Sequence, residues 1–431
     1  MVAGSKHGAG TWALLGAAAL ALAGVTPASA ADLGGNCCAD LEERIAQLEA
    51  TTARKGNRKV SLTVSGWVSQ AVFLWDDGVE SNAYVGTNSL EQDRVRFVGD
   101  AKITDGWSAG YTLELGILGA DSKSFSQDTD GGANSVGVRK SFWYLKSKTY
   151  GKLEVGNDGT ATYHLLDDAD ATQTRNVSDA EAAAVALGKF KIRSSGAFVN
   201  GLLWTDILRG VNNSTPGQNG RRNIVRYDSP EFAGFVATAS WGEDDMWGVA
   251  LTYKGELGDF KLVGKLGYEH NTDSNTSACN TKAPELDCQW WGAAGTILHQ
   301  PTGLYVYGGY GEQNDDSEKD FNPAADETDT VWFVQGGIVK KFVDLGKTTV
   351  FGEYRQDDPG SNLSKSTGGG TFIQGGDIDF LAAGVVQNIE NADMSLYVVY
   401  RHSEGDFTDS AGTPFALDDF DMVITGGKIN F

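Results

Sequence analysis

The sequence has little of several features that mark other classes of protein. Its 431 residues include only 8 Pro, 4 Cys and 5 His, and its 35 Lys and Arg are outnumbered by 57 Asp and Glu. The resulting net charge of −22 argues against nucleic acid as a partner. The longest apolar run, 11–24, is shorter than the roughly 20 residues that a membrane-spanning helix needs. Membrane-spanning helices are therefore not expected. The 56 Gly and the many aromatic residues also differ from the composition of an ordinary α/β enzyme.

Residues 1–30 have the layout of an export signal. Lys6 gives the positive start, the apolar run 11–24 follows, and Ala28 and Ala30 are the small residues before a cleavage site. We therefore expect this segment to be removed and the rest of the chain to be exported.

The segment 31–59 carries one short apolar repeat. Leu41, Ile45 and Leu48 recur at helical spacing, which predicts a short helix with a single apolar stripe over about 40–52. Such a short helix is marginal alone in water, so a partner or an oligomer would have to support it. A solvated linker with transient helix is the other interpretation of these residues.

The four cysteines form two sequence pairs. Cys279 and Cys288 flank a loop-like stretch, and in an oxidising compartment they are candidates for a loop disulfide, with free thiols as the alternative. Cys37 and Cys38 are adjacent, and they either pair between chains or stay reduced.

From residue 60 onward, apolar and polar side chains alternate as they do in strands with one apolar and one polar face. Leu62 and Val64, for example, alternate with Ser61 and Thr63. Sixteen such runs lie near 60–75, 92–103, 107–118, 136–147, 152–157, 221–228, 233–241, 246–254, 258–269, 289–298, 303–312, 330–343, 347–356, 377–388, 394–403 and 420–431. The alternation predicts an all-β fold. The even number of strands predicts that they form a closed 16-stranded antiparallel transmembrane β-barrel over residues 60–431.

The connections between the predicted strands alternate between short turns and long polar loops. This alternation is typical of barrels in the bacterial outer membrane, and it places residues 31–59 in the periplasm. Closure also leaves no unpaired strand edge in the hydrocarbon. The last strand ends on Phe431, which we expect at the membrane interface. An aromatic girdle is predicted from Trp75, Trp107, Trp143, Tyr144, Tyr150, Trp241, Trp247, Trp290, Trp291 and Trp332.

One connection, about 158–220, is far longer than the others. Its apolar residues, such as Leu165 and Trp204, predict that this third loop folds inward against the barrel wall. We then expect the acidic side chains of this loop to face, across a constriction of the channel, basic side chains at strand positions that point into the lumen. The alternative is that these acidic side chains are solvated loop charges. The predicted acidic side is Asp167, Asp168, Asp170, Asp179 and Glu181, and the predicted basic side is Arg94, Arg96, Arg139, Arg226, Arg355 and Arg401.

The block "CCADLEERIAQLEATTARKGNRKVSLTVSGWVSQAVFLWDDG" closely resembles the N-terminal region of the alphaproteobacterial porin family, and residues 37–431 resemble those proteins throughout. The resemblance implies a homotrimer in the outer membrane of a Gram-negative cell. It implies passive diffusion of ions and small hydrophilic solutes, without catalysis, cofactor or bound metal. Contact of the acidic outer loops with lipopolysaccharide through divalent cations is a further expectation.

Two other functions deserve comparison. A sugar-selective channel would place aromatic rings along the lumen, and Trp67 and Tyr397 have lumen parity. An outer-membrane hydrolase would need a catalytic constellation, but the four histidines after the signal lie in separate elements with no paired metal spacing.

Overall fold

The computed structural model describes residues 59–132, 134–175, 177, 187–208, 220–242, 246–272 and 287–431. All of them belong to one compact unit, Thr51–Phe431. The predicted export signal and N-terminal helix lie outside the described residues, as do Asp179, Glu181 and Cys279. No described helix has the length and apolar character needed to cross a bilayer.

Strands make up most of the described chain. They are β1 Ser61–Asp76, β2 Ser81–Thr87, β3 Arg94–Thr104, β4 Trp107–Leu118, β5 Ser135–Ser147, β6 Gly151–Gly159, β7 Lys191–Ser194, β8 Ala197–Leu203, β9 Arg221–Asp228, β10 Phe235–Gly242, β11 Met246–Leu257, β12 Phe260–Asn271, β13 Cys288–His299, β14 Leu304–Asp315, β15 Thr328–Val343, β16 Gly346–Asp358, β17 Asn362–Gly368, β18 Thr371–Ile389, β19 Met394–Asp409, β20 Pro414–Ala416 and β21 Phe420–Asn430. The described helices are short: Trp204–Ile207 and Ser317–Phe321 are α-helical, and Ser89–Glu91, Ser122–Ser124, Asp167–Ala169 and Glu390–Ala392 are 3₁₀ turns.

Sixteen of these strands form a closed antiparallel barrel, as predicted. Each pairs with the next along the chain, and β21 pairs with β1 from Trp67↔Asn430 to Asp76↔Asp421, which closes the cylinder. The remaining strands, β2, β7, β8, β17 and β20, lie in the loops of one rim and were not predicted from the sequence. Residues 61–67 of β1 pair with β3, whereas residues 70–76 pair with β2.

The faces of the strands follow the predicted alternation. Val423 and Ile429 of β21 lie on the outer face, whereas Met422 and Ile424 are buried inside.

Seven of the ten predicted girdle residues are exposed on the outside: Trp107, Trp143, Tyr150, Trp241, Trp247, Trp291 and Trp332. The prediction is wrong for Trp75, Tyr144 and Trp290, which are buried because their strand parity turns them into the barrel.

The interior of the barrel is packed at the rim where the long loops meet. Rings from β1, β21, the first loop (77–93), the second loop (119–134) and the third loop form an aromatic cluster in which Phe190 and Phe420 have ring centroids 4.8 Å apart. This apolar cluster buries the aromatic residues Phe73, Trp75, Tyr84, Phe125, Phe190, Trp204 and Phe420. It fixes the third loop inside the barrel, because burying several large rings is strongly favourable.

Candidate functional site

Residues 160–175 of the third loop (160–220) pack against one side of the barrel wall. Leu165, Leu166 and Ala169 of the loop are fully buried among apolar residues of the inner wall, such as Tyr307 and Phe333. This side of the lumen is therefore filled, and the open space lies along the opposite wall.

Polar side chains of the wall also bind the backbone of the third loop. Hydroxyl groups of three wall residues each donate a hydrogen bond to a loop carbonyl, and these are buried bonds that exclude water. The bonds are Tyr307 to Leu166 at 2.7 Å, Thr296 to Ala169 at 2.6 Å and Thr349 to Thr172 at 2.8 Å. The loop backbone thus finds, from β13, β14 and β16, the partners that a buried irregular segment needs.

The open part of the lumen is a polar cavity of about 550 Å³ bounded by β1, β3–β6, β9–β12, the first loop and the third loop. Ten basic side chains and five carboxylates line it among the described residues. The basic ones are Arg94, Arg96, Lys123, Arg139, Lys140, Lys152, Arg175, Arg221, Arg226 and Lys265, and the acidic ones are Glu91, Glu154, Asp158, Asp168 and Asp228.

One buried carboxylate organises the basic wall. The Glu114 side chain on β4 has no solvent-accessible surface, and it accepts from Arg96 Nε at 2.7 Å and from Arg139 Nε at 3.0 Å. Arg94 Nη1 lies 3.5 Å from the same carboxylate and its guanidinium stacks on the Trp67 ring at 4.1 Å. Three guanidinium groups thus share one negative charge.

The neighbouring strands add basic groups that pair with nearby acids, and Arg226 lies near both Asp228 and Glu154. Lys140 Nζ lies 2.6 Å from Asp158 Oδ1, and Arg226 Nη2 lies 3.1 Å from Asp228 Oδ1. Lys152 pairs with Glu154 on β6. These pairs leave the surplus of positive charge with the cluster around Glu114.

The predicted acidic residues of the third loop have partners of their own. Asp167 is buried and pairs with Arg175 at 2.9 Å, and Asp168 pairs with Arg175 and, at 3.2 Å, with Lys265 of β12. Burial raises the pKa of Asp168, but the charges of Arg175 and Lys265 outweigh it and hold that pKa below its usual value. Asp170 accepts from the backbone N–H of Thr172 at 2.6 Å, and its burial raises its pKa.

A second ionic contact joins the first loop, the third loop and the last strand. Glu91 Oε1 lies 3.3 Å from Arg175 Nε, and Glu91 Oε2 lies 2.7 Å from Lys428 Nζ of β21. Burial raises the pKa of Glu91, but the charges of Arg175 and Lys428 lower it more, so it lies below its usual value.

The structure places the predicted basic residues in two groups. Arg94, Arg96, Arg139 and Arg226 line the open cavity. Arg355 is buried and pairs with Asp357 at 2.6 Å, whereas Arg401 donates to the Val177 carbonyl of the third loop at 2.5 Å, and neither lines that cavity. Of the predicted basic residues, four thus line the cavity, Arg401 binds the third loop, and Arg355 pairs within its own strand.

Several residues of the site were not predicted. Glu114 could have been found, because it lies at lumen parity between Leu113 and Leu115. Lys140 could not, since a register shift at Glu114/Leu115 turns both Arg139 and Lys140 towards the lumen. Such bulges break the two-residue period on which the prediction depends.

Trp67 and Tyr397, the two aromatic residues predicted to face the lumen, do not form one exposed aromatic surface. Trp67 carries Arg94 and, at 4.2 Å, Lys428 over its ring. Tyr397 is buried, and its hydroxyl is bonded to Asn88 of the first loop at 2.9 Å.

Two further predicted sites, and one cluster that was not predicted, lie outside the cavity. Cys288 is disulfide-bonded, and its pairing with Cys279 stays a prediction. Phe431 exchanges two backbone hydrogen bonds with Gly66 of β1, at 2.9 and 3.0 Å, and its side chain is 60% exposed. His402, Glu404 and Asp419 bring potential metal-ligating atoms within 4.8 Å of one another, but nothing in the structure selects a cation there.

The comparisons with known proteins agree with this architecture. The barrel is similar to the anion-selective porin from Comamonas acidovorans, with a TM-score of 0.59 at 15% identity over 86% of this chain and 100% of that chain. It is similar to OmpT, an outer membrane protein of Vibrio cholerae, with a TM-score of 0.52 at 14% identity over 88% and 99%. Salmonella typhi OmpF in complex with daunomycin gives a TM-score of 0.51 at 14% identity over 87% and 99%.

At these identities the structural likeness shows the fold alone, and no curated protein sequence matches the chain significantly. The model of a protein family is more decisive. The Gram-negative porin model matches residues 16–408, which is most of the chain and nearly all of the barrel. The chain therefore belongs to the Gram-negative porin family, and it is an outer-membrane β-barrel channel.

Proposed function

We propose that the protein is a passive, water-filled channel for ions and small hydrophilic solutes, narrowed by its third loop. The observation that carries the proposal is the polar cavity of about 550 Å³ between that loop and the basic wall. A closed 16-stranded barrel has room for an aqueous lumen. The loop fills one side of it, so solutes pass along the other side and are selected there by size and charge.

Planar-bilayer conductance of the purified mature protein tests this function. We expect discrete, ohmic current steps in symmetric salt. A protein that is folded in the membrane but gives no steps would contradict the open channel and would favour a plugged barrel.

We further propose that the mature protein is a homotrimer of the alphaproteobacterial branch, made after removal of residues 1–30. The resemblance of the N-terminal block supports the branch, and one solved structure of the similar OmpT is described as a trimer form. Conductance steps in groups of three, a crosslinked species of three chains and a mature chain that begins at Ala31 are the expected results. A monomer in crosslinking, or an uncleaved leader, would contradict the corresponding part.

The channel is proposed to have no catalytic activity and no sugar-specific track. Membership of the porin family supports the first statement. Coverage of the Trp67 ring by Arg94 and Lys428 supports the second, because a sugar needs an accessible aromatic face. Saturable block of the ionic current by a neutral maltose-type sugar would restore the sugar-channel alternative.

The acidic loops at the outer rim are proposed to contact lipopolysaccharide through divalent cations. The excess of 57 Asp and Glu over 35 Lys and Arg supports such a bridge, because hard cations prefer oxygen ligands. Addition of Mg²⁺ is expected to increase co-purification of lipopolysaccharide with the protein, and an amount that does not respond to Mg²⁺ or to a chelator would contradict this contact.

A further inference from the structure

The channel throat is basic although the chain as a whole is strongly acidic. The net charge is −22, yet the basic side chains that line the cavity exceed the acidic ones by five among the described residues. Counting the buried Glu114 and the buried Asp167, which pairs with Arg175, still leaves an excess of three. The loop acids outside the described part, Asp179 and Glu181, carry two charges and could not cancel it. The side chains that line the narrow part of the solute path therefore carry a net positive charge, whereas the chain as a whole carries a net negative charge.

The excess is held at fixed positions. Arg96 and Arg139 are each oriented by a hydrogen bond to Glu114, and Arg94 rests against the Trp67 ring. Because Glu114 neutralises only one of the three guanidinium groups, two positive charges remain with their side chains already ordered. Such a preorganised group loses little side-chain entropy when it binds a ligand.

Guanidinium groups suit one class of ligand in particular. Their planar N–H donors match the oxygens of phosphates and carboxylates in pairs, and these charge-assisted bonds are stronger than those between neutral groups. A chloride ion carries a single charge and lacks the two separated oxygens that match a pair of parallel N–H donors. An oxyanion with two charges matches both the excess charge and the number of donors.

The basic lining also continues beyond the throat. A second cavity, towards the turn 104–107, shares Val98, Thr112 and Lys152 with the first. Its lining includes the four lysines Lys102, Lys146, Lys148 and Lys152 and only the two acids Asp100 and Asp105. An anion that leaves the cluster around Glu114 thus meets further positive charge on its way to the short-turn rim.

We propose that the throat binds oxyanions with two or more negative charges, of which phosphate is the simplest, and that the channel conducts anions in preference to cations. This inference rests on the proposed function, since it needs an open pore. The acidic outer mouth does not reverse the selectivity, because its exposed charges are screened by salt within about 10 Å, whereas the partly buried throat is screened much less.

The test measures wild-type channels in a planar bilayer at neutral pH. Across a KCl gradient we expect a reversal potential of the sign set by chloride. Inorganic phosphate added to one side is expected to reduce the chloride current in a saturable way, and sulfate is expected to do the same. A neutral sugar at equal concentration is expected to leave the current unchanged.

A double substitution, Arg94→Gln with Arg96→Gln, locates the site, because Arg139 remains as a partner for the buried Glu114. We expect the half-blocking phosphate concentration to rise about tenfold or more, as for the loss of strong charge-assisted bonds. Lys319→Gln, which removes one positive charge from an exposed outer loop, is the matched control and is expected to behave as wild type.

The possible results distinguish a failure of this inference from a failure of the proposed channel function. Current steps with a cation-selective reversal potential, or with no block by phosphate, would overturn the oxyanion site but leave the passive channel in place. No current steps from a folded protein would overturn both. The wild-type measurements decide the matter even where the double variant does not fold.

Discussion

At the scale of single residues, Glu114 is the centre of the site. Its carboxylate is fully buried and touches three guanidinium groups that would otherwise repel one another. A buried charge is tolerated only with such partners, and removal of one member leaves the others without compensation. Glu114 therefore holds together a cluster whose surplus charge faces the lumen.

Substitution Glu114→Gln is expected to lower the free energy of unfolding by on the order of 3 kcal/mol, the effect of breaking a buried ion pair. Urea unfolding of the protein in detergent, followed by tryptophan fluorescence, measures the change. Glu390→Gln is the control, because Glu390 is exposed and 3.9 Å from Lys341, and surface changes usually stay within about 0.5 kcal/mol. Equal stability of the two variants would show that Glu114 does not hold the cluster.

Residues also show how far sequence reasoning reaches. Strand parity predicted the lumen position of Arg94 and Arg96, because parity depends only on neighbours along the chain. It could not predict that Arg401 contacts Val177 or that Lys265 contacts Asp168, since these contacts join residues far apart in sequence. The division of the arginines between solute path and loop anchor is therefore a property of the tertiary structure.

At the scale of elements, the third loop is fixed by contacts of three kinds. Apolar packing holds Leu165 and Leu166, wall hydroxyls bind the loop backbone, and Arg175 ties it to Glu91 of the first loop. The apolar residues of the loop predicted that it folds inward. Which wall it would meet was not predictable, because both sides of the lumen present polar residues in the sequence pattern.

The carboxylates of Glu91 and Asp168, which bind Arg175 of the third loop, are expected to respond to acid. The pKa values of Glu91 and Asp168 in the folded state are below their usual values, so both carboxylates stabilise the fold above a pH of about 4. This stabilisation is lost as the pH falls through the lowered pKa values. We therefore expect noisier single-channel current and more frequent level changes at pH 3 than at pH 7.

Glu91→Gln is expected to produce part of this noise already at pH 7, because it removes the charge that binds Arg175 and Lys428. The acid response of the variant should then be smaller than that of wild type. Glu404→Gln, at an exposed residue of β19, is the control and should keep the wild-type response. A quiet Glu91→Gln channel at pH 7 would mean that the apolar packing alone fixes the loop.

At the scale of the whole molecule, the barrel combines a filled half and an open half. The strands could be predicted because period-two alternation is repeated sixteen times and has one consistent closure. The predicted ends lie within three residues of the observed ones, except at the start of β18 and the end of β19, where the strands extend six residues further. The open half could not be predicted, since it depends on where the third loop packs. Function thus depends on the part of the molecule for which local patterns contain the least information.

The pairing of β21 with β1 closes the cylinder, and Phe431 directly follows β21. Phe431 exchanges two backbone hydrogen bonds with Gly66, and its exposed ring lies on the outer face where an amphipathic or aromatic side chain favours the membrane interface. Deletion of Phe431 is expected to reduce the yield of folded barrel in lipid vesicles, because it removes both bonds and the ring. Phe431→Ala keeps the backbone bonds and should give an intermediate yield, whereas Phe431→Tyr should match wild type. The heat-modifiable shift of folded barrel on a gel measures each yield. Equal yields for the deletion and wild type would mean that the pairing from Trp67↔Asn430 to Asp76↔Asp421 closes the barrel without its terminal residue.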